Sequence, residues 1–188
     1  NLIKKHFKKK KIVIAGYYPA DYELDIKIFL KDAFESKFKI SLPVIKSSRD
    51  MCFKLWNYKE PLRINKFGIL EPEKSNKEVI PDLILVPVVA FDKKLNRIGY
   101  GKGYYDRILT KISKIKKKII CLGMAYSFQE CSFIPVNKYF IASPQPALST
   151  NLIVAPPVGI IPLSTSNCEN LQLFPAIVIS DDSISSTP

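Results

Sequence analysis

An α/β fold with a mostly parallel central sheet flanked by helices, in a single domain, is what this sequence predicts, on three observations. The run Asp82–Val89 (DLILVPVV) is almost wholly apolar, as a central parallel strand covered on both faces requires. Other short β-rich runs alternate with stretches of helical period. The 188 residues suffice for one domain with its own core.

The elements follow in order. Lys10–Tyr17 (KKIVIAGY) is a β-rich run closed by Gly16 and broken by Pro19, which suits a buried strand. Asp21–Phe34 places Leu24, Ile28, Phe29 and Leu30 at near-helical spacing with Lys27 and Lys31 off that face, so an amphipathic helix is expected with Asp21 as its N-cap. Ile40–Ile45 is a further short apolar run. Met51–Tyr58 alternates, with Met51, Phe53 and Leu55 opposed to Cys52, Lys54 and Trp56, and is expected to be a strand. After the central strand at Asp82–Val89, Arg107–Lys117 is predicted to be a basic helix and Lys118–Ala125 (KIICLGMA) another buried strand. Ligands of such sheets sit beyond the carboxyl ends of the strands, so the segment after Val89 is the first place to seek a site.

Composition narrows the class. The apolar fraction is 47% and the charged fraction 24%, ordinary for a globular chain. No apolar run is long enough to cross a bilayer, and Ile12–Gly16 is too short for a signal-peptide core, so a cytoplasmic protein is expected. Cys52, Cys121, Cys131 and Cys168 form no paired CxxC spacing and His6 is the sole histidine, so neither a zinc site nor a disulfide framework is expected. The net charge of +12 attracts polyanions. Apart from Lys8–Lys11 and Lys116–Lys118 its lysines are nevertheless scattered, with no aromatic residues alternating with them as in a stacking platform, and the expected surface is a solvated basic one.

The charge is unevenly spread: all 29 Lys and Arg lie in residues 1–138, whereas residues 139–188 carry only Glu169, Asp181 and Asp182. That second segment also holds seven of the 14 prolines and is rich in Ser and Thr. It reads as loop, short strands or disorder. The organisation expected is therefore an α/β domain over 1–138 and a Pro/Ser-rich tail over 139–188, either a natural extension or sequence out of frame.

The chemistry concentrates between Arg97 and Asp106 (RIGYGKGYYD). Glycines at 99, 101 and 103 let the backbone curl round an anion with its N–H groups inward. Arg97 and Lys102 add fixed positive charge, Arg as a two-pronged donor and Lys as a point charge. Asp106 offers a hard oxygen suited to Mg²⁺, and a helix beginning near it would turn its positive end to the same anion. The glycine spacing alone is weak, being neither a Walker A loop nor a Rossmann fingerprint; a flexible turn would look the same.

The longer string VPVVAFDKKLNRIGYGKGYYDR is far more specific and closely resembles the signature of the 5-formyltetrahydrofolate cyclo-ligase family, also called methenyltetrahydrofolate synthetases. Further matches run in order: Tyr17, Pro19 and Glu23; Leu42-Pro43-Val44; Phe67-Gly68-Ile69 leading to Glu71-Pro72; and Pro81-Asp82. They span about residues 11–138. The family's K-x-x-x-R segment is not matched ahead of the first strand, and Phe140–Pro144 departs from its H-D-x-x-x-D segment. The resemblance implies MgATP-dependent closure of 5-formyltetrahydrofolate to 5,10-methenyltetrahydrofolate, with ADP and phosphate released. It implies ATP contacts from Arg97, Ile98, Gly99, Tyr100, Gly101, Lys102, Gly103, Tyr104 and Tyr105, with Arg97 and Lys102 stabilising the transferring phosphoryl group. It implies folate contacts from Glu23, Trp56 and Tyr100 to Tyr104, including Gly101, Lys102 and Gly103, and Mg²⁺ at Asp106. The expected partners are the folate and ATP, with no nucleic acid and no membrane, for a monomer. Two alternatives stand beside this: an inactive relative that keeps the nucleotide loop, and a basic nucleic-acid-binding module.

Overall fold

The computed structural model describes residues 12–20, 23–116 and 119–135, and the backbone of the strand 150–155. In chain order the elements are β1 (Val13–Ala15), α1 (Lys27–Glu35), β2 (Lys39–Ile45), β3 (Met51–Trp56), β4 (Arg63–Ile64), β5 (Leu70–Glu71) and β6 (Glu78–Val79). They are followed by β7 (Leu83–Pro87), β8 (Ala90–Asp92), β9 (Arg97–Ile98), α2 (Tyr104–Ile115), β10 (Ile120–Tyr126), β11 (Glu130–Cys131) and β12 (Thr150–Ala155).

The main sheet has the order β12-β10-β7-β1-β2-β3-β6. It is parallel from β12 through β2 and antiparallel where β3 and β6 are added. Thr150–Ala155, from the Pro/Ser-rich segment, holds the edge beside β10; the rest of that segment, like Asp21, His6 and Cys168, lies outside the described residues.

Strand alternation sends side chains to two cores. Ile14, Ile40, Leu42, Leu83 and Leu85 pack with Leu30 and Ala33 of α1 on one face. Ala15, Phe53, Ile84, Val86 and Cys121 pack with Ile108, Leu109 and Ile112 of α2 on the other. Gly16 lets α1 settle on the sheet, since a Cβ there would lie 2.6 Å from Leu30 Cδ2. Asp82 ties the entry of the central strand together: its carboxylate accepts from Val13 N–H at 2.7 Å and from Lys116 Nζ at 2.6 Å.

The first helix differs from expectation. It starts at Lys27, with Ile26 as N-cap, rather than at residue 21. Leu24 and Ile26 are buried in irregular chain ahead of it, and Ile28, assigned to the apolar face by spacing, is 77% exposed. Leu24 and Ile26 serve an irregular plug ahead of the helix, whereas Leu30 and Ala33 form its buried stripe, a division the period could not show. The second helix begins at Tyr104, earlier than Arg107, with Gly103 at its N-cap in the left-handed region and the Gly103 carbonyl accepting from the Arg107 N–H at 3.1 Å.

The winding creates a defined crevice. From β1 the chain crosses by α1 to β2 on one side, and from β7 it crosses by α2 to β10 on the other. The direction of strand addition therefore reverses between β1 and β7, the place where open α/β sheets bind ligands beyond their strand ends.

Candidate functional site

Two segments leave that crevice. Glu23 follows β1, and the β8–β9 hairpin with the glycine loop follows β7. The hairpin pairs Phe91 with Arg97 and Ala90 with Ile98. Its turn is held by Asp92, only 2% exposed. One carboxylate oxygen accepts from the N–H groups of Lys94 and Asn96, both at 2.9 Å. The other accepts from Asn96 Nδ2 at 2.9 Å and Ile134 N–H at 3.1 Å. Burial opposes the charge of Asp92, but these bonds from Asn96, Ile134 and Lys94 outweigh it and hold its carboxyl below the usual range.

The hairpin delivers Arg97, whose Nη2 bonds the Oδ1 of Asp106 in the first turn of α2. The Arg97 side chain is 14% exposed and that of Asp106 45%, so the pair faces outward through the carboxylate. Between them Gly101 and Gly103 take φ of 75° and 64°. Tyr104 donates its hydroxyl to the Ser47 carbonyl at 3.1 Å. Arg107 donates Nε to the Arg49 carbonyl at 2.7 Å and Nη2 to the Lys102 carbonyl at 2.9 Å. The loop is thereby lashed to the β2–β3 turn. Lys102 and Lys66 both place Nζ 5.2 Å from the Phe67 ring centre. Phe67 sits on the β4–β5 hairpin, which is anchored by the buried carboxylate of Glu71 bonded to Arg63, Asn65 and the Ile45 N–H. A cleft of about 240 Å³ lined by Ser47, Arg63, Lys66, Phe67 and Lys74 borders the loop here.

On the other side, burial and then Glu23 push the Tyr105 hydroxyl above its ordinary pKa, with Arg97 pulling down. Burial, Glu23 and Tyr105 do the same to Tyr17. Glu23, Tyr17, Tyr105 and Arg97 thus share one electrostatic neighbourhood. The Tyr105 hydroxyl is buried there and has no hydrogen-bond partner among the described residues. Glu23 Oε2 accepts from the Ala20 N–H at 2.9 Å.

Of the residues singled out in the sequence, Arg97, Gly99, Gly101, Lys102, Gly103, Tyr104, Tyr105 and Asp106 lie along one loop and helix start, with Tyr100 53% exposed at its tip. Trp56 does not join them. It packs in the α1-side core, 7% exposed, with its indole N–H donated to the Glu60 carbonyl at 3.0 Å. Its edge lines a separate cleft of about 310 Å³ with Tyr18, Tyr58 and Leu62. Asp92, Arg107, Phe67 and the Ser47–Arg49 carbonyls carry no expected role from the sequence. Asp92 and Arg107 lie within the signature string and Phe67 within one of the ordered matches; Phe67 and the Ser47–Arg49 carbonyls join the site through contacts far along the chain.

Mg²⁺ fits Asp106. The ion commonly takes one or two carboxylates together with phosphate oxygens and water. Arg97 bonds Asp106 Oδ1, and the Asp106 side chain is 45% exposed, so its carboxylate can be reached from solvent. Among the described residues no three His, Cys, Asp or Glu side chains cluster as a metal cage. Among them, too, no helix is long and apolar enough to cross a membrane.

Comparison with known proteins bears on the same segments. Residues 2–140 match the 5-formyltetrahydrofolate cyclo-ligase family. A 5-formyltetrahydrofolate cyclo-ligase of Haemophilus influenzae is 33% identical over 132 residues, covering 67% of this chain and 70% of the relative. That of Escherichia coli (strain K12) is 29% identical over 143 residues, covering 73% and 76%. The NMR structure of Aquifex aeolicus 5,10-methenyltetrahydrofolate synthetase superposes with a TM-score of 0.62 at 25% identity, over 90% of this chain and 81% of that one.

Proposed function

The chain belongs to the 5-formyltetrahydrofolate cyclo-ligase family, a family of ATP-dependent ligases, and we propose that it closes 5-formyltetrahydrofolate to 5,10-methenyltetrahydrofolate at the crevice between β1 and β7. The observation that carries this reading is the glycine loop at the carboxyl end of β7, with Arg97, Lys102 and Asp106 held around it.

In the reaction, the formyl oxygen of the folate attacks the γ-phosphorus of ATP and the bond to ADP breaks. The resulting imidate phosphate is attacked at its formyl carbon by N10 of the same folate. Phosphate then leaves with the former formyl oxygen, and the N10 proton is lost. No protein atom becomes covalently attached, so the protein contributes position and charge. The N–H groups around Gly99 to Gly103 cradle the triphosphate. Lys102 acts as a point charge, and Arg97 places its guanidinium where negative charge moves from the γ-phosphate towards ADP. Glu23 offers a carboxylate to the N–H donors of the pterin. Mg²⁺ at Asp106 would supply neutralisation of phosphate charge. Trp56, packed in the core, would meet the folate only by its edge. The nucleic-acid and inactive-relative alternatives are not favoured by the family membership.

The test is absorbance at the methenyltetrahydrofolate band after mixing protein, 5-formyltetrahydrofolate and MgATP. Product is expected, and it should be lost in Asp106→Ala. A folded protein that neither forms product nor binds MgATP with folate present would refute the reading.

A further inference from the structure

We propose that Asp92 is a positioning residue for the phosphoryl-transfer site: it sets Arg97 in place without touching either substrate. The inference rests on the reading of Arg97 as a phosphate contact.

The case begins with geometry. Arg97 enters β9 directly after a tight turn, and its place across from Phe91 depends on how that turn closes. Leu95 in the turn has φ of 65°, a left-handed conformation unfavourable for a side chain of that size. Such a conformation persists only where the surroundings dictate it. Here they are two-sided. Leu95 packs against the small core of Val88, Phe91 and Ala125. Opposite, Asp92 gathers the N–H groups on both sides of Leu95, those of Lys94 and Asn96, onto a single oxygen. A turn closed one residue differently would send the Arg97 side chain to the opposite face of the hairpin, away from Asp106.

Asp92 is also connected elsewhere. Its second oxygen holds the Ile134 N–H, from the segment after β11, and β11 itself runs parallel to β8. Together with Asn96 Nδ2 this completes four hydrogen bonds on a carboxylate 2% exposed. A carboxylate so fully occupied by protein donors has no room for a ligand or metal. Its work is to stiffen the turn from which Arg97 projects. Arg97 meets Asp106 through Nη2 on one carboxylate oxygen, so a shift of the β9 backbone changes which atom the guanidinium meets.

The experiment is equilibrium binding of MgATP and, separately, of 5-formyltetrahydrofolate, by calorimetry on wild type, Asp92→Ala, Asp92→Asn, Arg97→Ala and the double variant Asp92→Ala/Arg97→Ala. Thermal melting is recorded for each. Loss of one charge-assisted contact should weaken MgATP about tenfold in Asp92→Ala. Folate affinity should stay within about twofold, a separation that general loss of structure would not give. Asp92→Asn keeps one acceptor oxygen for Lys94 and Asn96 and should fall between. In the Arg97→Ala background, Asp92→Ala should add nothing, because it acts through the missing side chain. Unchanged MgATP binding by folded Asp92→Ala, parallel loss of both affinities, or full additivity in the double variant would overturn the proposal. If Asp92→Ala does not fold, Asn96→Ala decides. It removes the Asn96 side-chain donor to Asp92 and leaves the backbone donors in place, and MgATP affinity equal to wild type would overturn the proposal. Should Arg97→Ala bind MgATP as wild type does, the reading of the site itself fails, and the inference with it.

Discussion

The glycines at 99, 101 and 103 look alike in the sequence but carry different burdens, and replacing each by alanine separates them. At Gly101, φ is 75° and no atom lies within 4 Å of an added Cβ. Gly101→Ala therefore tests backbone strain alone. Holding a non-glycine residue in the left-handed region costs about 1–2 kcal/mol, so the competent loop should fall about five- to thirtyfold in population, with MgATP affinity reduced in proportion. At Gly103, φ is 64° and the added Cβ would lie 2.7 Å from Arg107 Nη1. Gly103→Ala carries the same strain and also pushes the guanidinium off the Lys102 and Arg49 carbonyls. Each such charged bond contributes about 1.5 kcal/mol or more, so this variant should be the weakest binder and the least stable. At Gly99 there is no left-handed backbone, but a Cβ would lie 3.2 Å from Arg97 Nη1. Gly99→Ala should shift Arg97 by a few tenths of an ångström, leave melting unchanged and reduce MgATP affinity the least. Calorimetric titration with MgATP and thermal melting of the three variants are the assay. Gly101→Ala matching wild type in both would show that the left-handed loop is not the form that binds nucleotide.

Two more outcomes are expected. Arg63→Ala strands the Glu71 carboxylate, 1% exposed, without its cation, and a denaturant titration should register a loss of about 3 kcal/mol; a loss below about 1 kcal/mol would mean that Asn65 and the Ile45 N–H suffice. The folded Asp92 titrates below its ordinary value, so its contribution to stability is complete above the unfolded carboxyl value of about 3.9 and is lost as pH falls through its own lower value. The stability gap between wild type and Asp92→Asn, followed by chemical denaturation across the acid range, should therefore hold down to about pH 4 and narrow only below it.

Patterns made by near neighbours in the chain were legible from the sequence. The apolar runs placed β2, β3, β7 and β10 within a few residues, because burial on one or both faces leaves a direct mark on composition. The glycine loop was legible because closely approaching backbone needs glycine, and a cation beside it needs Arg or Lys. The first helix was misplaced because Leu24 and Ile26 fill the core from irregular chain, and an apolar residue leaves the same mark whether a helix or a loop delivers it.

Composition and local order by themselves determined the α/β class, the strands and the loop that bears the charged groups. Only the tertiary structure decided which distant residues complete the site. It brought Ser47 and Arg49 under Tyr104 and Arg107, set Phe67 beneath Lys102, bound Ile134 to Asp92, and sent Trp56 into the α1-side core. Those outcomes depend on the reversal of strand order between β1 and β7 and on the register of each pairing. Neither is written in any one stretch of chain, because each arises when segments tens of residues apart bury their apolar faces against one another.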